Sequence, residues 1–153
     1  MEPLFLFSIE GRRFALELPC VERVVQAVAV TPLSDGPEAV LGVVNVHGTI
    51  IPVVDLRRRL GIPPRTVRLD DGMVIAHTAR RSLAFFVDTA FGVVESPEGG
   101  YVIGNDVVPG LEFVQGVVQI GDDLVLIHDL DRVLSIDEQD QLDRALGDSS
   151  DAG

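Results

Sequence analysis

The stretch GVVNVHGTIIPVVDLRRRL, Gly42 to Leu60, constrains the fold more than any other part of this chain. Val43 to Val46 and Ile50 to Val54 are β-branched apolar runs separated only by His47-Gly48-Thr49. Such runs joined by a short glycine-bearing connection predict a tight β-hairpin. Because both runs are nearly continuous in apolar residues, both strands are expected to be buried on both faces. Asp55 then offers a carboxylate as N-cap for a helical turn over Leu56 to Leu60. Gly61 suits the left-handed residue that follows it, and Pro63 stops continuation.

The stretch occurs twice. Gly42-Val43-Val44 recurs as Gly116-Val117-Val118, Asn45-Val46 as Gln119-Ile120, and Asp55-Leu56 as Asp129-Leu130. A fainter echo lines Leu16 to Val25 up with Ala84 to Val93, mainly through its apolar pattern. Two copies are too few for a solenoid, so a duplicated all-β body is the expected architecture. Around the repeat, Leu4 to Ile9 and Phe14 to Leu18 predict a first hairpin, with Val21 to Val30 as the next strand. Met73 to Thr78, Leu83 to Val87 and Ala90 to Glu95 repeat that scheme. Ser96 to Pro109 reads as a long loop, and Val117 to Ile120 with Leu124 to His128 as the second hairpin. Ser135 and Glu138 have capping-box spacing, and Leu142, Ala145 and Leu146 mark one face of a short helix, with fraying expected from Gly147 onward. Ten short strands in two sets of five predict two small barrels, since closure removes exposed edges. The approximate division is 4–64, 65–134 and a helix over 135–147, with Pro63-Pro64 at the junction and strand exchange between the halves left open.

Charge and motifs narrow the function. With 24 acidic against 12 basic residues the net charge is −12, which argues against nucleic-acid binding and adhesion to anionic membranes. No apolar run approaches a membrane span or a signal-peptide core, so a cytoplasmic protein is expected. Cys20 is the only cysteine, which excludes an intramolecular disulfide and a cysteine-based metal cluster. His47, His77 and His128 lack metal-ligand spacing, and no phosphate-binding loop or nucleophile–base pair is visible. No catalytic residue, cofactor or metal is therefore expected. Arg57-Arg58-Arg59 reads either as a solvated helical turn or as one side of an interface with an acidic partner. Among Val21, Val24, Val25 and Val28, alternate members are expected in the core while the others line a groove.

The hairpin, together with Ala15-Leu16, Val21-x-x-Val24-Val25, Phe86-Val87-Asp88 with Val93-Val94, and Asp129-Leu130-x-x-Val133-Leu134, resembles the bacterial chemotaxis coupling family CheW from about Phe5 to Leu146. The main departure is His47, where that family usually has arginine. The resemblance implies an all-β fold of two five-stranded SH3-like barrels with a short C-terminal helix. It implies a non-catalytic adaptor between the cytoplasmic tip of methyl-accepting chemoreceptors and the regulatory domain of a CheA-type histidine kinase. Carried over by position, the expected partner contacts are Val21, Val24, Val25, Asn45 and His47, with Asp55 and Arg57 as further candidates. Three other readings stay open: a regulatory segment of a larger kinase, an adaptor in a non-motility pathway (pili or development), and a barrel that binds a small molecule.

Overall fold

Glu10 and Gly11 both take positive φ, 52° and 73°, and this two-residue turn folds β1 (Pro3–Ile9) onto β2 (Arg12–Glu17). His47 and Gly48, at φ 52° and 89°, do the same for β4 (Val40–Val46) and β5 (Thr49–Val54). Left-handed residues suit such turns because their twist matches that of the flanking strands. A computed structural model describes residues 3–95, 102–103 and 114–151, with side chains over 3–95 and 114–147. The remaining strands are β3 (Val21–Gln26), β6 (Gly72–His77), β7 (Ser82–Val87), β8 (Thr89–Glu95), β9 (Val102–Ile103), β10 (Val114–Ile120) and β11 (Asp123–His128). Apart from β9, the expected loop over Ser96 to Pro109 lies outside the described residues.

These strands form two sheets, in the orders β8-β1-β2-β11-β10-β9 and β3-β6-β7-β5-β4. They make two SH3-like barrels, A and B respectively. The barrels are not the halves 4–64 and 65–134 expected from sequence. Barrel A takes its first hairpin from the N-terminus and its other strands from beyond Asp88, whereas barrel B is built from the middle of the chain. Each barrel joins its parts through one antiparallel pair, β1–β8 in A and β3–β6 in B, and one parallel pair, Ala15 beside Ile127 in A and Val53 beside Ala84 in B. An antiparallel bridge between Thr31 and Val43 closes B, and Val102 beside Val117 occupies the corresponding place in A.

Burial follows from this exchange. Leu4, Leu6, Ala15, Val118, Val125 and Ile127 fill the inside of A, and Val44, Ile51, Val53, Met73, Ile75 and Ala84 fill B. The alternate residues of the same strands, including Phe5, Phe7, Leu16, Val74, Leu83 and Phe85, form a larger core in the seam between the barrels. Phe7 and Phe85 meet there with ring centroids 5.3 Å apart. Each such ring contributes about 1.5–3 kcal/mol by leaving water. Two-sided burial is fullest in β1, where Leu4 to Ile9 are all buried, and in β6, where Met73 to Ala76 are. In β4 it is absent: Leu41 and Asn45 are exposed while Gly42 and Val44 are buried. In β5 both faces are covered over its last four residues, Ile51 to Val54.

The faint repeat is also corrected by one residue. Phe5 pairs with Leu16 and Val74 pairs with Phe85, which makes β1–β2 equivalent to β6–β7 one position further along than the apolar pattern suggested. A one-residue slip exchanges the two faces of every strand, so barrel interior and seam would have been interchanged. The stronger repeat stands as read: β4 bulges between Val40 and Gly42, and β10 between Val114 and Gly116.

Both expected caps form. The Asp55 carboxylate accepts the Arg58 N–H at 3.2 Å and starts α1 (Leu56–Leu60). Gly61, at φ 70°, ends it as Ile62 N–H donates to the Arg57 carbonyl and Gly61 N–H to that of Arg58. In the second copy Asp129 accepts the Asp131 N–H at 3.0 Å, and the turn Leu130–Arg132 is a 3-10 helix. The Ser135 hydroxyl accepts Glu138 N–H while the Glu138 carboxylate accepts Ser135 N–H, a complete capping box. It opens α2 (Ile136–Asp151), which passes through Gly147 and so runs further than the expected end. No proline lies beyond Gly147 to stop it.

Candidate functional site

Cross-strand pairing assigns a face to each valine of β3, since paired residues share a side of the sheet. Val21 opposes Ala76 and Val24 opposes Val74, both seam residues, whereas Val25 opposes Met73 inside barrel B. Val25 thus packs against the barrel B core and Val21 against the seam, both half-buried. Val24 reaches solvent at 39% exposure. Beyond β3, Ala27, Val28, Val30, Val67, Leu69 and Phe86 line an open groove of about 300 Å³. Leu69 is 90% exposed and Val28 and Val67 about half as much. Exposed apolar surface of this kind, on an acidic protein, suits a protein partner.

Asn45 and His47 sit at the tip of the β4–β5 hairpin, both exposed. The Asn45 carboxamide oxygen accepts Gly48 N–H at 2.8 Å and so shapes the turn. Among the described residues no hydrogen bond or ion pair links this tip to β3, so the candidates form two separate groups. Asp55 acts as the α1 cap.

Arg57 is drawn inward. Its side chain is 14% exposed, and it donates to Glu10 at 2.7 Å, to Asp88 at 3.0 Å and to the Pro63 carbonyl at 3.1 Å. Arg58 pairs with Glu38 at 2.5 Å and Arg59 with Glu138 on α2. The arginine triplet therefore holds α1 to the rest of the molecule. Asp88 is the hub of this network, accepting from Arg57, from Arg65 at 2.6 Å and from Glu10 N–H at 2.8 Å. Burial acts to raise its pKa, but the Glu10 amide and the two guanidinium groups outweigh it and hold the carboxyl below its ordinary range. Arg65 also forks onto Asp71, which binds Arg68 N–H at 2.7 Å. Asp88→Ala leaves two partly covered guanidinium groups short of an acceptor and is expected to cost about 1–3 kcal/mol, read as a lower denaturation midpoint. Partial exposure of Asp88 favours the low end of that range.

The remaining reactive side chains are scattered. Cys20 is half-buried in the 3-10 turn after β2, and burial with Glu17, Asp131 and Asp129 pushes its thiol pKa up, away from thiolate chemistry. His77 faces Glu22 at 3.7 Å on the surface, and His128 is buried against the Phe14 ring, centroids 4.9 Å apart. Among the described residues no group of three His, Cys, Asp or Glu is arranged to hold a metal ion. No described helix is long and apolar enough to cross a membrane.

Comparison with known proteins bears directly on this arrangement. The family model described as "CheW-like domain" matches residues 3–138. The chain belongs to the CheW-like family. It is 24% identical over 139 residues to a chemotaxis protein CheW of Rhizobium meliloti, covering 90% of each chain. It is 27% identical over 128 residues to that of Thermotoga maritima, covering 84% of each. The crystal structure of scaffolding protein TtCheW from Thermoanaerobacter tengcongensis superposes with a TM-score of 0.80 at 26% identity, over 90% of this chain and 94% of that one. Within this CheW-like fold, one exposed position absent from the candidate contacts is Val93. It opposes seam residue Phe5 on β8 much as Val24 opposes Val74 on β3, and it is 57% exposed. The signal was the faint repeat, read one residue out of step.

Proposed function

We propose that this CheW-like chain is a non-catalytic adaptor in the cytoplasm, coupling chemoreceptor tips to the regulatory domain of a CheA-type histidine kinase. The family match over 3–138 carries the reading. The exposed valine of β3 and the apolar groove beside it support it, since an amphipathic helix lays its apolar face into such surfaces. Val24 is the central contact in this proposal. Val21 flanks Val24 on the same face of β3 and Val25 supports the strand from the opposite face, while Asn45 and His47 offer a second, polar contact at the hairpin tip. Asp55 and Arg57 act through the structure of α1. Histidine in place of the family's usual arginine removes a fork able to grip a carboxylate with two hydrogen bonds.

A pull-down from the cognate cell extract tests the reading directly. Recovery of a CheA-type kinase and a chemoreceptor is expected, and the receptor recovered will distinguish motility from pili or developmental signalling. Recovery of neither, with a saturable thermal shift from metabolites, would replace it with a small-molecule-binding barrel. Val24→Asp is expected to weaken receptor binding at least tenfold while changing stability by no more than about 0.5 kcal/mol, as exposed substitutions usually do. Undiminished receptor binding by this variant would remove β3 from the site.

A further inference from the structure

Helix α2 is poorly suited to stand alone. Between Ile136 and Gly147 it carries Asp137, Glu138, Asp140 and Asp143 against the single cation Arg144. Asp137–Asp140 and Asp140–Asp143 are like-charge pairs three residues apart, a spacing that destabilises an isolated helix. No basic residue occupies its last turn to meet the dipole. Its apolar grip is narrow, with Leu142 and Ala145 fully buried and Leu146 partly so. What it meets on barrel B is a row of arginines. Arg59 pairs with Glu138, Arg80 with Asp140 at 3.0 Å and with Asp143, and Arg81 with Asp143. Since α2 continues from β11 of barrel A and docks on cations of barrel B, it straps one barrel to the other over the seam, where Leu142 joins Leu130, Val133 and Leu134.

We propose that α2 is a releasable, salt-sensitive strap: it unfolds from the seam as a unit while both barrels stay folded, and the arginine row of barrel B holds it closed. Outer pairs such as Arg80–Asp140, with side chains 39% and 50% exposed, are screened by electrolyte. The interaction range falls from about 30 Å at 0.01 M to about 3 Å at 1 M. Strands β1 and β7, closed by main-chain ladders and aromatic packing, have no such dependence. Opening of part of a protein below its global unfolding free energy is a general property of native states.

Amide hydrogen exchange on the full chain at 0.01 M and 1 M sodium chloride tests the strap. Exchange over residues 139–146 is expected to quicken about tenfold at high salt, with amides of β1 and β7 unchanged. Arg80→Gln with Arg81→Gln should show the faster exchange already at low salt and respond little to added salt. Salt-independent exchange of α2 in the wild type, or exchange that rises in step with β1 and β7, would overturn the proposal. The wild-type measurement stands by itself if the double variant does not fold.

Discussion

Gly42→Ala is expected to destabilise the protein by about 3–5 kcal/mol, which combines severe overpacking with backbone strain. A Cβ on Gly42 would lie 2.2 Å from the Thr31 carbonyl oxygen and 2.8 Å from its carbon, at φ +153°. Neither side can yield easily. The Thr31 carbonyl accepts Val43 N–H at 2.8 Å, and Thr31 N–H donates to the Val43 carbonyl at the same distance. That reciprocal pair closes barrel B, and the Val40/Gly42 bulge brings the two backbones together there. Gly48→Ala is the control: its φ is +89° but nothing lies within 4 Å of the added carbon, so a cost of about 1–2 kcal/mol from strain alone is expected. Denaturant midpoints of the two variants measure the difference. Equal losses would show that the closure of barrel B gives way freely.

Acid should weaken the fold through His128 before the carboxylates titrate. The imidazole is buried, packed by the rings of Phe7 and Phe14, and burial lowers its pKa from 6.5 to about 4. The unfolded chain therefore takes up a proton below pH 6.5 that the folded chain refuses until about pH 4. Stability is unaffected above that window and falls as pH drops through it, by about 2 kcal/mol at pH 5. Asp71, Asp88 and Glu138 are shifted the other way, below their ordinary values, so their loss comes at lower pH. His128→Gln retains a polar group without a titrating one. The stability it loses between pH 7.5 and pH 5 should be smaller than the wild-type loss by about 2 kcal/mol, whatever the substitution costs at neutral pH. Parallel stability curves for the two proteins would mean that His128 charges freely in the folded state.

Much of this structure was legible in residues close together in sequence. Asp55 with Gly61, Ser135 with Glu138, and the His47-Gly48 turn each carry a complete local instruction, because caps and tight turns involve partners within a few residues. Gly42 and Gly116 likewise announced a duplicated hairpin. Of the candidate site, alternation along β3 divided the valines between core and groove without saying which were which, and the bulge after Val21 breaks that alternation. The matching exposure of Val93 did not emerge, since an apolar pattern alone does not fix the register between repeats. The arginine triplet was ambiguous for a related reason. Glu10, Glu38, Asp88 and Glu138, which engage it, are scattered along the chain.

What the sequence determined by itself is the set of parts: β-hairpins, capped turns, a terminal amphipathic helix, a duplication and family membership. The tertiary structure decided their assignment. Each repeat contributes its first hairpin to the other barrel, so β1–β2 complete the barrel of β10–β11 and β6–β7 complete that of β4–β5. Written in terms of apolar alternation, an exchanged and an unexchanged pair of barrels are the same sequence. The seam distinguishes them: exchange places Phe5, Phe7 and Leu16 opposite Val74, Leu83 and Phe85 in one shared core, and that burial exists only once both barrels have closed.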